Sequence, residues 1–140
     1  MTEPGPAELQ AMVPMATTLG IELLEAGPGQ VVARMGWAPE RCTVGGVMHG
    51  GALMSLADTA GAICAFLDLP EGAVGTATIE SKTNLLRAVR EGSVTARSRP
   101  LHHGSTLAVI ETELRDDRER LVAKTAQTQI YQYPRDRSAG

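Results

Sequence analysis

The order of apolar and polar positions along the chain changes period several times. In residues 7–17, Leu9, Met12, Val13 and Ala16 fall near helical spacing, and Pro14 interrupts the run. Residues 21–26 and 30–37 read as two strands, and Gly27-Pro28-Gly29 between them is a turn signal that makes the pair a hairpin. Residues 38–48 hold Pro39, Gly45 and Gly46 and read as a loop. Residues 51–67 are apolar on nearly every side and rich in Ala, Leu and Met. That predicts a helix buried all round, terminated by Leu69-Pro70-Glu71-Gly72. Beyond it the pattern is β-like, with strands predicted over 76–86, 93–100, 106–115 and 121–133. The last two are joined by the charged turn Asp116-Asp117-Arg118-Glu119-Arg120. In the last strand Val122, Lys124, Ala126, Thr128 and Ile130 alternate with Leu121, Ala123, Thr125, Gln127 and Gln129.

The order is two strands, one central apolar helix, then four strands. Strands of this length need a cover on one face, and the 51–67 segment is the one long and apolar enough to supply it. The predicted fold class is α+β, an antiparallel sheet wrapped around one long central helix. One helix covers little of such a sheet, so the chain is expected to bury more surface by dimerising. A single domain over residues 1–140 is expected, ordered from about 7 to 133, with frayed Pro/Gly/charge-rich ends at 1–5 and 134–140.

Composition narrows the function. Of the 140 residues, 43% are hydrophobic and 21% charged, the balance of a soluble globular protein. Aromatics are only 3% and the formal net charge is −3, which argues against stacking on bases or docking on a phosphate backbone. Cys42 and Cys64 form no CxxC pair and have no nearby His at ligand spacing. They read as free thiols in a reducing cytoplasm, with no metal site. The start Met1-Thr2-Glu3-Pro4-Gly5-Pro6 lacks the basic and apolar regions of a secretory signal. Asp58 and Asp68 within residues 50–69 argue for a buried helix rather than a membrane span.

Two features carry candidate chemistry. Asp58 lies in the middle of the apolar helix, where a buried carboxylate is costly unless paired. It reads either as a carboxylate bonded to Ser55, Thr59 or a subunit partner, or as a general base or nucleophile. His49-Gly50-Gly51 stands immediately before the helix, where unpaired amides and the positive pole of the helix dipole point outward. Gly lets a ligand approach that backbone closely, so these amides suit an oxyanion in acyl transfer. They equally suit a plain N-terminal turn. Asp58 follows His49 by nine residues. That is about two helical turns, roughly 12 Å, too far for both to meet one substrate atom within one chain. If both act, two antiparallel copies related by a two-fold axis must share the site. His49 reads as a base, as a structural hydrogen-bond donor that fixes the loop, or as neither, with the structural part favoured because Asp58 is the better buried base. No nucleophile elbow surrounds Ser55.

The run Val47-Met48-His49-Gly50-Gly51-Ala52-Leu53-Met54-Ser55-Leu56-Ala57-Asp58-Thr59-Ala60-Gly61 resembles the signature of PaaI-type hotdog thioesterases. That group includes phenylacetate-pathway and 4-hydroxybenzoyl-CoA thioesterases. Residues 78–87 and His103-Gly104-Ser105-Thr106-Leu107-Ala108 resemble the family's following strands, and the likeness covers roughly residues 15–132. The resemblance implies a hotdog fold, a homodimer or homotetramer with helices back to back, and hydrolysis of an acyl- or aryl-CoA thioester. It implies that the Gly50 amide polarises the carbonyl and that Asp58 of the facing subunit acts as nucleophile or base. His49 would hold the loop, and Thr78 would position water. Thr43 stands where many relatives carry Asn or Gln. The family's frequent "LRP" run reads Leu86-Arg87-Ala88 here. For coenzyme A the candidates are Gly51, Arg87, Arg90, His102, His103, Gly104 and Ser105, with Arg87 first because it ends the strand carrying Thr78. No cofactor beyond the substrate's own CoA is implied. Two other readings share the fold: a non-catalytic acyl-CoA-binding or regulatory protein, and an enoyl-CoA hydratase. The second needs an Asp and a His placed together, which the nine-residue spacing opposes.

Overall fold

A computed structural model describes residues 3–135, so the ends expected to fray, 1–5 and 134–140, lie in part outside the described residues. Two short helices open the chain, α1 (Pro6–Ala11) and α2 (Pro14–Leu19). The single helix expected over 7–17 is thus two. Pro14 has no amide to continue α1, but its restrained φ suits the first turn of α2. The hairpin β1 (Ile21–Gly27) and β2 (Gln30–Gly36) follows, turning at Gly29 with a φ of 88°, which glycine adopts without strain. A loop containing a short 3-10 turn at Pro39–Arg41 leads to α3 (Gly50–Phe66). Four strands complete the chain: β3 (Gly75–Leu85), β4 (Ser93–His103), β5 (Leu107–Arg115) and β6 (Leu121–Gln132).

All six strands form one antiparallel sheet in the order β1-β2-β4-β5-β6-β3. This is the hotdog arrangement expected from the pattern, a sheet curled round one long helix. β4 runs three residues further than expected, through Pro100. The irregularity between Pro100 and His102 accommodates it, and there β4 has already passed the end of β2.

The alternation is cleanest in β5 and in the first half of β4. Val31, Ala33 and Met35 face α3, as do Val94 and Ala96, Ala108, Ile110 and Leu114, and Ala123. They meet Leu53, Leu56, Ala57, Ala60 and Cys64 of the helix. Hydroxyls on the same face pair across strands, the buried Ser98 with Thr112 and the half-buried Thr83 with Thr125, each at 2.7 Å. The outer face is charged, with Lys124 against Glu111 and Arg115 against Glu113.

The helix is not covered on every side in the single chain, contrary to the expectation from its composition. Met54, Asp58 and Phe66 are exposed, and Gly51, Ser55 and Ala62 are half-buried. They form a stripe that the sheet cannot reach because it wraps only the opposite side. Beside this stripe lies β3, an edge strand with Ile79 and Leu85 exposed. Among the described residues, no helix is long and apolar enough to cross a membrane.

Replacing the fully buried Leu56 by Ala should lower unfolding free energy by about 2–5 kcal/mol, read from urea denaturation. Cys64 is buried, and burial together with the Asp68 charge pushes its thiol pKa up to about 11. A thiol reagent at pH 8 should therefore label partly exposed Cys42 but spare Cys64 until the protein is unfolded.

Candidate active site

The start of α3 is built by its N-cap. His49 has extended backbone and its Nδ1 accepts from the Gly51 amide at 2.7 Å. Nδ1 therefore carries no proton in this arrangement, which puts the ring proton on Nε2. The His49 carbonyl accepts from Ala52 and Leu53 at 2.9 and 3.1 Å, and its own amide donates to Arg41 at 2.8 Å. Just upstream, Met48 donates to Val89 at 2.8 Å and Thr43 to Val47 at 2.8 Å, so the preceding loop is anchored at several points. The His49 ring thus acts at the helix start as an acceptor, not as the hydrogen-bond donor expected of it.

These bonds leave one amide over. Gly51, Ala52 and Leu53 all have acceptors, whereas the Gly50 N–H has none among the described residues. It lies where the α3 dipole is positive, on an open, largely apolar hollow shared with Thr43, Val47, Leu53, Leu85 and Arg87. Gly51 was a candidate for substrate contact, but its amide is already engaged by His49 and is not available as a donor.

Asp58 lies two turns further along and opens on a different hollow, lined by Gly51, Met54, Ser55, Thr78 and Ser81. It is exposed in the single chain, a correction to the buried carboxylate expected from its apolar neighbours in sequence. It sits on the helix stripe that the sheet leaves bare. Nor are its partners Ser55 or Thr59. Ser55 donates to the Gly51 carbonyl instead, at 2.8 Å. Asp58 Oδ1 accepts from Thr78 Oγ1 and from Gln127 Nε2, each at 3.1 Å. Gln129 Nε2 in turn donates to Thr78 Oγ1 at 2.5 Å.

A β-bulge arranges the strand side of this hollow. Thr78 pairs with Gln129 and Glu80 with Thr128, so Ile79 is the extra residue in β3. The bulge shifts the alternation by one, so that Ser81 and Thr83, opposite Gln127 and Thr125, face the helix. An unbroken strand would have turned Glu80 toward Asp58 and set two carboxylates side by side.

The structure thus divides the candidates into groups. Gly50, Thr43 and Arg87 share one hollow, and Asp58 and Thr78 share the other. Arg90 lies apart, in a polar hollow beside the Asp116–Arg120 turn. His103, Gly104 and Ser105 sit by the far end of α3 and are held by the chain itself. His103 Nε2 contacts the Asp68 carbonyl at 2.6 Å, the Gly104 amide donates to Leu107 at 3.0 Å, and the Ser105 carbonyl accepts from Tyr133. One chain does not bring them to Gly50. The sequence reading missed Gln127 and Gln129. Their signal was present: two amides continue the row of Ala123 and Thr125, which faces the helix.

Residues 45–123 match the Thioesterase superfamily. The chain superposes on a thioesterase from Haemophilus influenzae with a TM-score of 0.89 and 27% identity, covering 97% of this chain and 96% of that one. It also superposes on the PaaI protein of the Escherichia coli phenylacetic acid degradation operon with a TM-score of 0.81. At 23% identity and 90% coverage of each chain, that is a likeness of fold. The 1,4-dihydroxy-2-naphthoyl-CoA hydrolase of Escherichia coli is 35% identical over 83 residues, 59% of this chain and 60% of the relative. Fold, helix-start signature and family match agree: this chain belongs to the thioesterase superfamily, the thioester hydrolases of the hotdog fold.

Proposed function

We propose that the protein hydrolyses an acyl- or aryl-CoA thioester, as a homodimer or a dimer of dimers whose active sites are each shared by two subunits. The observation that carries this reading is the unpartnered Gly50 amide at the positive end of α3, with Asp58 two turns away on a separate hollow. Each is half of a site. The bare stripe of α3 and the edge strand β3 are the surface a second, antiparallel copy would cover, and a two-fold axis there sets one subunit's Gly50 against the other's Asp58. The CoA hydrolase relative supports the substrate class.

In the chemistry, the thioester carbonyl oxygen accepts from the Gly50 N–H, which favours the negative charge that develops there. The partner subunit's Asp58 supplies the other group. As a base it takes a proton from water while the water oxygen bonds to the carbonyl carbon. As a nucleophile its oxygen forms that bond, and water then hydrolyses the anhydride. By either route the C–S bond breaks, and a carboxylic acid and the CoA thiol leave. Thr78 donates to Asp58 and accepts from Gln129, which leaves it one lone pair for a water. Thr43 flanks the carbonyl with a short hydroxyl, and Arg87, exposed beside the Gly50 hollow, reaches toward the CoA phosphates. Water is the second substrate, and no cofactor is required. The two free cysteines fit a cytoplasmic setting.

Thiol release from a panel of acyl- and aryl-CoA thioesters tests the activity. Asp58→Ala should abolish turnover by several orders of magnitude and leave substrate binding nearly intact. Retained turnover would remove Asp58 from the mechanism. A wild-type protein that binds CoA esters and returns them unchanged would instead be an acyl-CoA-binding protein.

Sharing of the site has its own test. Gly50→Pro removes the amide at a position where a helix tolerates proline, and His49 before it is already extended. Alone it should lower kcat by about 10²–10³-fold. Refolded as a mixture with Asp58→Ala, it should regain about a quarter of wild-type activity, because half the dimers are mixed and each mixed dimer holds one intact site. A site contained in one subunit would regain nothing.

A further inference from the structure

We propose that Gln127 is a positioning residue: it reaches from β6 through a notch in α3 made by Gly61, and holds the Asp58 carboxylate in its working orientation. The proposal rests on the reading that Asp58 carries the chemistry.

Gln127 lies on the inward face of β6 and is almost wholly buried, between Thr125 and Gln129 in the row that faces the helix. Its Nε2 donates to Asp58 Oδ1 at 3.1 Å. Its Oε1 is buried without a partner among the described residues. An unpartnered carbonyl in a core is unfavourable, and a Leu or Met would fill the same space without that penalty. Turning the amide over would not help, since Oε1 would then face a carboxylate oxygen. The orientation is therefore dictated by Asp58.

Gly61 makes the contact possible. It is buried, three residues beyond Asp58 on the same helix. A Cβ there would fall 2.1 Å from Gln127 Oε1 and 2.6 Å from Cδ. Any side chain at 61 would push the amide from its place. A glycine within a helix is costly to helix stability, so its presence here, like the buried amide, is set against stability.

The second donor to Oδ1, Thr78, is itself held by Gln129 from the same β6 row. Two neighbouring inward glutamines thus act on one carboxylate oxygen, one directly and one through a hydroxyl. Oδ1 is held from two sides, while Oδ2 has no partner among the described residues and remains for substrate or water. Fixing a reacting group in one rotamer lowers the entropic part of the barrier, and small misplacements are expensive.

The experiment uses the whole oligomeric protein and the best thioester of the panel. It compares wild type, Gln127→Met, Gly61→Ala and the double variant, with kcat scaled to the folded fraction from thermal melts. Gln127→Met keeps length and apolar volume but removes the donor. It should lower kcat by about 10–100-fold with KM within about two-fold. Gly61→Ala should give a similar split. Alanine raises helix propensity, so a loss there cannot come from a weaker helix. The double variant should be no worse than the poorer single one, because both act through one contact. Wild-type kcat in Gln127→Met, or independent multiplication of the two losses, would overturn the proposal. Inactive Asp58→Ala beside fully active Gln127→Met would reject the positioning role and keep Asp58. Active Asp58→Ala would reject the underlying reading instead.

Discussion

Leu56, Ala57, Ala60 and Cys64 are fully buried where α3 seats against the inward rows of the sheet. Everything at the candidate site depends on that seating. It sets which side of the helix is covered by protein and which is left for a second copy or a substrate. Because the contact side is rich in Ala, with Gly61 among it, helix and sheet approach closely. A polar side chain on β6 can then span the gap and reach a group on the helix flank.

That contact surface is not uniformly apolar. The hydroxyl pairs Ser98–Thr112 and Thr83–Thr125 satisfy themselves across neighbouring strands and serve the sheet. Gln127 and Gln129 differ, because their donors are directed at Asp58 and Thr78, at the boundary between core and open hollow. The bulge at Ile79 belongs to the same design. By shifting the alternation of β3 it brings hydroxyls rather than the Glu80 carboxylate beside Asp58, and so spares the site a like-charge pair.

The other half of the site follows from hydrogen-bond accounting at a helix start. A helix begins with four orphan amides, and the chain disposes of three of them: the ring and carbonyl of His49 take those of Gly51 and Ala52, and His49's own donates to the Arg41 carbonyl. The one left over, at Gly50, opens on an apolar hollow. An amide with no partner in a setting otherwise well satisfied is suited to an anionic oxygen that exists only during reaction. His49 contributes by holding that geometry, with its proton confined to the far side of the ring.

Much of this was legible before any coordinates. The period-two and helical stretches determined the elements, the apolar helix between two sets of strands determined the architecture, and the nine-residue spacing from His49 to Asp58 set those two groups about two helical turns apart. The break at Pro14 was visible as a break but not as two helices. The environment of Asp58 was not legible. Its apolar neighbours in sequence lie on the covered flank of α3, whereas Asp58 itself lies on the bare one. Which flank is covered is decided by how the sheet curls, not by local pattern. The partners Gln127 and Gln129 stand 69 and 71 positions from Asp58 in the chain. Only strand register and the Ile79 bulge bring them, with Thr78, to one oxygen. Local sequence therefore determined the elements and the chemical groups available. The tertiary structure alone decided which groups meet, because a one-residue shift in a strand reverses every side chain it carries.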